Sequence, residues 1–341
     1  MLCFAGLLSV SSTAPDIFWF QFLWIAIGFS LIFLLANFDW RSIVIHKQFV
    51  WGIYIIAILS LVLTYFLAPS IRGVRAWIEI GPFNFQMSEL AKFALIIMYS
   101  SFFAKEHVGI AHVKNIFLSL IYFLIPAALV MAQPDLGSVL IMFGIWFGFL
   151  LVSGIKMRHL LISGLVIAVA FVVLWTSVFQ QYQKDRIIGL FVPERDPLGV
   201  NYSVIQSKIA IGSAGFFGKG FNQGTQSQLG FLPEAQTDFI FAAFTEEWGF
   251  LGAIAVLMAF LVILMRIIKI GLLADNNFSK FICLGTLILF LLQFIMNIGS
   301  NLGLTPVVGV SFPFLSYGGS NLLVNCLLIG MIQGIKVYRR F

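Results

Sequence analysis

The sequence predicts an all-α integral membrane protein, a polytopic bundle of about ten transmembrane helices. The mean hydropathy is +1.02, 60% of the residues are hydrophobic and 10% are charged. Because soluble domains carry about 25% charged residues, this composition excludes an ordinary globular enzyme. The pI is about 9.3, but the basic residues are scattered through short loops, so we expect a membrane partner and no nucleic acid.

Apolar runs between charged residues or Gly and Pro breaks locate the individual spans. A span needs about 20 apolar residues, because the hydrocarbon core is about 30 Å thick. Residues 2–12 are apolar but too short to cross, so we expect the outer half of a truncated first helix. No basic segment precedes them, and a cleaved signal peptide is not expected. Further spans are predicted at 17–37, 49–67, 88–104, 115–131, 137–154, 160–178, 240–265, 281–299 and 320–336.

The distribution of Lys and Arg predicts the orientation of these spans. Cytoplasmic loops carry an excess of both residues, and one set of loops contains 12 of the 20. We assign that set to the cytoplasm, which places the C-terminus there and turns the loops 68–87, 179–239 and 300–319 outward. The twelve residues are Arg41, Lys47, Lys105, Lys114, Lys156, Arg158, Arg266, Lys269, Lys280, Lys336, Arg339 and Arg340.

The outward-facing loop 179–239 is the one long connection in the predicted topology. Loops longer than about 15 residues are usually functional or disordered. This loop keeps apolar runs and paired charges, so we expect it to fold into short amphipathic helices on the outer membrane surface. We interpret residues 1–341 as a single membrane domain. No internal repeat is evident, which weighs against an inverted-repeat transporter.

Two acids, Glu234 and Asp238, lie at the edge of a predicted span. Carboxylates at a membrane edge are costly to desolvate and are functional candidates for that reason. If Thr237 caps the helix, Asp238 lies in its first turn, where the helix dipole favours a carboxylate. A simple helix N-terminal acid is the alternative. Deeper in the same span, Glu246 and Glu247 also need partners or a wet cavity, which favours function.

A second cluster combines outward-facing arginines with an intramembrane charge pair. Arg72 and Arg75 break the positive-inside trend, which suggests an anionic ligand such as a phosphate. Glu89 and Lys92 are three residues apart, so they share a helix face and can pair inside the membrane. A structural ion pair with random loop charge is the alternative.

Two further segments contain polar or bent backbone between spans. Asp135 follows Gln133 and Pro134 at a predicted outer helix terminus, where a plain helix cap is the alternative to a functional role. The segment 306–320 is rich in Pro and Gly, which predicts bent backbone that could line a groove. All four histidines fall in predicted cytoplasmic loops, so outward-facing chemistry would need a carboxylate as its base.

These blocks together resemble the RodA/FtsW family, the SEDS proteins of shape, elongation, division and sporulation. The form of Gly224–Gln228 resembles the RodA branch. Met87 stands where the family usually has Pro. The family often has Arg directly before the Trp, whereas here Ala76 is in that position and Arg75 is one residue earlier. The matching stretches, in family order, are Gln86–Lys92, Gln133–Gly137, Gly218–Gly220, Gly224–Gln228, Phe231–Ala242, Glu246-Glu247 and Pro306–Ser320.

The resemblance implies a peptidoglycan glycosyltransferase with ten membrane helices. Such an enzyme polymerises lipid II on the outer face of the bacterial cytoplasmic (inner) membrane during elongation and shape maintenance. Its implied partners are a class B penicillin-binding protein, which is a single-span transpeptidase, and other proteins of the elongation complex. A lipid II flippase and a non-catalytic scaffold are the alternatives; the clustering of motifs on one face weighs against alternating access.

The resemblance also implies roles for individual residues. The family's essential acid matches Asp238, which we expect to be the general base. A divalent cation, Mg²⁺ or Mn²⁺, could bridge pyrophosphate and carboxylate, although the sequence shows no dedicated metal ligands. The expected substrate-binding residues are Arg72, Arg75, Gln86, Glu89, Lys92, Asp135, Lys208, Glu234, Thr237 and Ser316.

Overall fold

The protein folds as a helix bundle with a small β-hairpin, seen here in a computed structural model. The predicted span 160–178 lies almost entirely outside the described part of the chain, and Arg72 lies outside it as well. The structure describes residues 1–40, 46–69, 74–81, 83–106, 113–154, 158, 164, 175–177, 181–192, 196–199 and 201–338.

Most of the predicted spans form long helices. The described residues contain 7 helices that are long and apolar enough to cross a membrane, and two shorter apolar helices. The chain is therefore a multi-pass membrane protein. The membrane helices are α1 (Leu2–Thr13), α2 (Phe18–Ala36), α3 (Lys47–Leu67), α4 (Met87–Glu106), α5 (Val113–Ala132), α6 (Leu136–Val152), α10 (Ile240–Leu272), α11 (Asn277–Leu302) and α12 (Gly319–Val337).

Helices α4 and α12 form the centre of the bundle. Of the most apolar 18-residue stretch of each helix, 67% is buried inside the protein in α4 and 61% in α12, against 22% in α2. Helix α4 packs against α3, α6 and α11, whereas α12 packs mainly against α2. Since lipid is as apolar as the core, this association rests on close packing and polar contacts between helices.

The predicted outer loop 68–87 contains a β-hairpin that the hydropathy pattern does not reveal. Strands β1 (Trp77–Ile80) and β2 (Phe83–Gln86) pair antiparallel, with Trp77 opposite Gln86. Helix α4 begins at the next residue. The Trp24 ring of α2 packs edge-on against Phe83 and Phe85, at centroid distances of 5.1 and 5.6 Å. The hairpin is thereby held against the bundle.

Helix α10 is interrupted at Gly249, although the sequence predicts an uninterrupted span. Gly249 has φ 69° and ψ −169°, a conformation essentially reserved for glycine. The loop at 215–220 satisfies the backbone groups that the break frees. Lys219 N donates to Glu246 O at 2.9 Å, and Phe250 N donates to Gly215 O at 3.1 Å. Irregular backbone at membrane depth needs such partners.

The long outer loop is folded where it is described, as predicted. It contains helices α7 (Gln181–Phe191), α8 (Tyr202–Ser213) and the short α9 (Thr225–Gln228). Helix α8 packs against α10 and α11. The same loop supplies partners to the buried acids of α10. Lys219 Nζ donates to Glu246 at 2.7 Å, and Gln228 Nε2 donates to Glu247 at 3.4 Å. Glu247 also accepts a hydrogen bond from Ser12 of α1.

Candidate active site

A cavity of about 710 Å³ lies where the ends of several helices meet. Its walls come from the hairpin, the N-terminus of α6, helix α7, the turn before α10 and the segment 306–320 that precedes and begins α12. This volume falls in the usual range for ligand sites, about 300–1,000 Å³. The charged lining residues in the described chain are Asp135, Arg186, Glu234 and Asp238.

Asp238 lies in the turn before α10 rather than inside its first turn. The N-cap of α10 is Phe239, whose own side chain makes no capping hydrogen bond. The predicted capping role of Thr237 is therefore wrong: its hydroxyl donates to the Glu234 carboxylate at 2.9 Å instead. The Asp238 carboxylate faces the segment 306–310, because a Cβ placed on Gly309 would lie 3.8 Å from Oδ2.

Two asparagines of α11 fix the backbone of Asp238. Asn297 Nδ2 and Asn301 Nδ2 each donate to the Asp238 carbonyl oxygen at 2.9 Å. Asn297 Nδ2 also donates to Val310 O at 2.8 Å, which ties the turn to the opposite wall. The Asn301 Oδ1 atom accepts from Ala242 N at 3.1 Å. Sequence reasoning missed both residues, although polar amides in an apolar helix are a signal of function.

Further hydrogen bonds join the Asp238 turn to the segment before α12. Ser316 Oγ donates to Thr237 O at 2.6 Å and accepts from Phe312 N at 2.8 Å. Tyr317 N donates to Gln236 O at 2.9 Å. Ser316 is buried and lies outside the cavity lining, so its contacts are those of a positioning residue.

Glu234 lines the cavity in a strained conformation. Its φ is 52°, which is uncommon for a residue other than glycine. Its carbonyl oxygen accepts from Thr237 N and Phe239 N, both at 3.1 Å, and so closes the turn that presents Asp238. Strained residues persist where the surrounding structure fixes them, commonly at functional sites.

Asp135 combines a cap with a place in the cavity lining. Its Oδ1 atom accepts from Ser138 N at 3.0 Å at the start of α6. Its Oδ2 atom accepts from Gln86 Nε2 at 3.1 Å, which joins the hairpin to α6. A Cβ on Gly137 would overlap Val308 O, so glycine is needed for α6 to approach the segment 306–310 this closely.

The predicted cations Arg75 and Lys208 do not line the main cavity, whereas Arg186 does. Arg186 lines the main cavity and donates to Val307 O at 3.0 Å. Lys208 and Arg186 both line a small adjoining cavity of about 30 Å³. Arg75 is exposed, and its backbone N donates to Gln133 O at 3.3 Å. Arg75 is not among the residues that line the main cavity.

Glu89 and Lys92 form the predicted ion pair, with Lys92 Nζ 2.6 Å from Glu89 Oε1. Both side chains are buried, 4% exposed for Lys92 and 6% for Glu89. Neither residue belongs to the main cavity lining. The pair thus lies buried in the bundle and outside the cavity lining.

Tyr317 adds an uncharged donor to the cavity, and sequence reasoning assigned it no role. Burial raises the pKa of its phenol above its ordinary value, so the hydroxyl stays protonated at neutral pH and can donate a hydrogen bond. Ser311, Ser320 and Asn84 also line the cavity. Their signal in the sequence is their position within two residues of Pro or Gly, in segments predicted to face outward.

No group of three or more His, Cys, Asp or Glu side chains comes together in the described chain. Magnesium is nevertheless commonly bound through one or two protein carboxylates together with substrate phosphates. Asp238 and Glu234, which lie on one cavity four residues apart, fit that kind of site.

Fold and cavity together define a multi-pass membrane protein with a ligand-sized, acid-lined cavity at the ends of its helices. The family model described as "Cell cycle protein", which covers FtsW, RodA and SpoVE, matches residues 7–341. The chain belongs to this family.

Named relatives and solved structures agree with this assignment. The peptidoglycan glycosyltransferase MrdB of Escherichia coli K12 is 36% identical over 316 residues, 93% of this chain and 84% of MrdB. Stage V sporulation protein E of Bacillus subtilis is 35% identical over 94% of this chain and 87% of its own.

Among solved structures, a chain of a peptidoglycan synthase complex that coordinates polymerization and crosslinking superposes with a TM-score of 0.83. It is 29% identical, with 99% of this chain and 96% of the other covered. The rod shape determining protein RodA of Thermus thermophilus superposes with a TM-score of 0.71 at 26% identity, and the match covers 99% of this chain and 95% of the RodA chain.

Proposed function

We propose that this protein is a peptidoglycan glycosyltransferase that polymerises lipid II into glycan strands during cell-wall elongation. The observation that carries the proposal is Asp238, an acid presented to a ligand-sized cavity by a turn whose backbone is held by hydrogen bonds from α11 and from the segment before α12. Membership of a family with named peptidoglycan glycosyltransferases supports the same activity.

Glycosyl transfer requires a base at the attacking hydroxyl and positive charge at the leaving group. The 4-hydroxyl of one sugar attacks the anomeric carbon of another, the bond to the lipid pyrophosphate breaks, and a glycosidic bond forms. Asp238 accepts the hydroxyl proton as general base. Arg186, which lines the cavity, stabilises the departing pyrophosphate. Arg72 remains a second candidate from the sequence alone, whereas the position of Arg75 outside the lining does not support the same role.

Other residues bind and orient the substrate in this scheme. Hydrogen-bonding groups on the cavity wall come from Glu234, Thr237, Asp135 and Gln86. Lys208 lies next to Arg186 in the adjoining cavity and adds positive charge there. A divalent cation such as Mg²⁺ or Mn²⁺, held by Asp238 and Glu234 together with the pyrophosphate, would supply further charge neutralisation.

The proposed setting is the bacterial cytoplasmic membrane, with the cavity on the outer face and the C-terminus in the cytoplasm. The partner we propose is a class B penicillin-binding protein that cross-links the new strands. The likeness to a chain of a synthase complex that coordinates polymerization and crosslinking supports this pairing. If a separate partner cross-links the new strands, the polymerase needs its active-site cavity on the same membrane face as the catalytic domain of that partner.

Polymerisation of purified lipid II tests the proposal. The detergent-solubilised protein is assayed with its cognate penicillin-binding protein, whose transpeptidase is inactivated, using wild type, Asp238→Asn and the exposed control Asp16→Asn. Loss of the base lowers the rate by about 10²–10⁴-fold, while Asp16→Asn retains the wild-type rate. A folded Asp238→Asn protein that polymerises normally contradicts Asp238 as base. Absence of chains from wild type favours a flippase or a scaffold.

A further inference from the structure

A second cavity lies at the opposite end of the bundle from the candidate active site. Its volume is about 200 Å³, and it lies between the N-terminal end of α3, the C-terminal end of α4 and the first half of α5. The positive-inside pattern assigns these helix ends to the cytoplasm. The lining residues include two lysines, Lys47 and Lys105, and a serine, Ser101.

The cavity has a charged mouth and an aromatic wall. Both lysines are exposed, and neither has an ion-pair partner within the part of the chain that the structure describes. Trp51 and Tyr122 pack edge-on at a centroid distance of 5.7 Å, and Phe102 packs against Tyr122 at 5.8 Å. Trp51 is 41% exposed, as expected for an aromatic residue at a membrane interface.

We propose that this cavity binds the head group of an anionic diacyl phospholipid from the cytoplasmic leaflet. Basic pockets between membrane helices on the cytoplasmic side are suited to such head groups. Lys47 is also the first residue of α3, where the helix dipole favours a phosphate. Two lysines and a helix N-terminus therefore converge on one anion, and Ser101 adds a hydroxyl.

The size of the cavity and its surroundings favour a lipid over a free ion. A volume of about 200 Å³ is well above the roughly 10–15 Å³ that a cavity needs to hold one water, so there is room for a group larger than a single small ion. The acyl chains then lie along the exposed apolar faces of the adjacent helices, where Ile55, Leu59 and Phe117 are 50%, 61% and 62% exposed. This site is independent of the proposed enzymatic activity.

Native mass spectrometry of the purified full-length protein tests the proposal. The protein is released from micelles that contain dioleoyl-phosphatidylglycerol or dioleoyl-phosphatidylcholine, and the retained lipids are counted. We expect one phosphatidylglycerol to be retained in preference to phosphatidylcholine. The double variant Lys47→Gln/Lys105→Gln lowers the affinity of the protein for phosphatidylglycerol by about tenfold or more. Lys47→Arg/Lys105→Arg keeps the charges and retains binding.

The matched control is Lys269→Gln/Lys280→Gln, which removes two lysines from the same predicted side but away from the cavity. Equal loss in this control, or unchanged binding by the Lys47→Gln/Lys105→Gln protein, overturns the proposal. Equal retention of phosphatidylcholine overturns it as well. Displacement of the lipid by millimolar inorganic phosphate assigns the site to a free anion, and preferential retention of undecaprenyl phosphate assigns it to a polyprenyl lipid; either result contradicts a diacyl phospholipid.

Discussion

At the scale of single residues, the position of Asp238 is decided by amide side chains that bind its backbone. Asn297 and Asn301 both donate to its carbonyl oxygen, and Asn301 also accepts from Ala242 N. Since the N-cap residue Phe239 makes no capping hydrogen bond, the bond from Ala242 N to Asn301 Oδ1 serves as the cap. The bonds from the two asparagines to Asp238 involve its backbone, and the residue lines the cavity.

Asn301→Leu is expected to impair polymerisation through the placement of Asp238. The variant removes one donor from the Asp238 carbonyl and leaves the buried Ala242 N–H unsatisfied, which costs about 1–3 kcal/mol. A displacement of about 1 Å at a reacting group can cost about 10²-fold in rate. We expect kcat to fall by about tenfold to a hundredfold with little change in KM for lipid II.

The matched control for that experiment is Asn325→Leu, because Asn325 is buried in α12 and bonds to Asn321 rather than to the Asp238 turn. Steady-state kinetics of both variants, at equal monodispersity, give the comparison. A similar fall in kcat for Asn325→Leu would show that loss of any buried amide has this effect, and would remove the positioning role.

Lys92→Met is expected to lower stability through the charge it leaves behind. Glu89 and Lys92 are both buried and paired at 2.6 Å, and breaking such a pair from one side costs about 3–5 kcal/mol. The double variant Glu89→Gln/Lys92→Met removes both charges and recovers most of the loss. Thermal unfolding in detergent measures both. If apparent lipid II affinity falls in the double variant while stability recovers, Lys92 binds substrate as well.

At the scale of elements, the break in α10 joins the outer loop to the membrane helices. The loop 215–220 supplies hydrogen bonds on both sides of Gly249, and Lys219 pairs with Glu246 at 2.7 Å. The helix and the loop therefore stabilise each other. Neither the break nor the docking is visible in a hydropathy profile, because that profile averages over a window and does not register the conformation of one glycine.

Gly249→Ala is expected to destabilise this junction strongly. Alanine in this backbone conformation costs about 1–3 kcal/mol in strain, and its Cβ would overlap the backbone of Phe217 and Gly218. Gly52→Ala is the control: Gly52 is in α3, and a Cβ added there would meet nothing within 4 Å, so alanine gains about 0.5–1 kcal/mol. Unfolding midpoints in detergent measure the stability of both variants. Equal midpoints for Gly249→Ala and Gly52→Ala would contradict the role of the break.

At the scale of the whole molecule, the charge distribution predicts two functional faces. The candidate active site lies among the segments predicted outside, and the lysine-lined cavity lies among those predicted inside. Orientation therefore decides whether the cavity at Asp238 can reach a substrate presented on the outer face.

Cysteine labelling in intact cells checks this orientation. Leu198→Cys lies in the predicted outer loop, where Leu198 is 85% exposed, and Lys336→Cys lies at the exposed end of α12. A membrane-impermeant maleimide should label Leu198→Cys directly, and Lys336→Cys after permeabilisation. The cysteine-free background, with Cys3, Cys283 and Cys326 replaced by Ala, sets the baseline. The reverse labelling pattern would place the cavity in the cytoplasm.

The sequence alone determined the membrane class, the helices and the family. Nine of the apolar runs, 2–12 among them, form helices in the structure, and the tenth lies almost entirely outside the described residues. Hydropathy and charge are properties of neighbouring residues, so about 20 apolar positions suffice to specify a span. The Glu89–Lys92 pair was predictable for the same reason, because three residues along a helix bring side chains together.

Tertiary structure decided the composition of the site. It joined Asp135, Asp238 and Tyr317, far apart in the chain, on one cavity, and it placed Lys92 and Ser316 outside the lining. It also capped α10 from another helix: Asn301 Oδ1 of α11 accepts from Ala242 N, while Thr237 donates to Glu234 instead. The pairing of distant helix ends depends on packing and on hydrogen bonds between segments far apart in sequence, and no local pattern encodes which asparagine reaches which carbonyl.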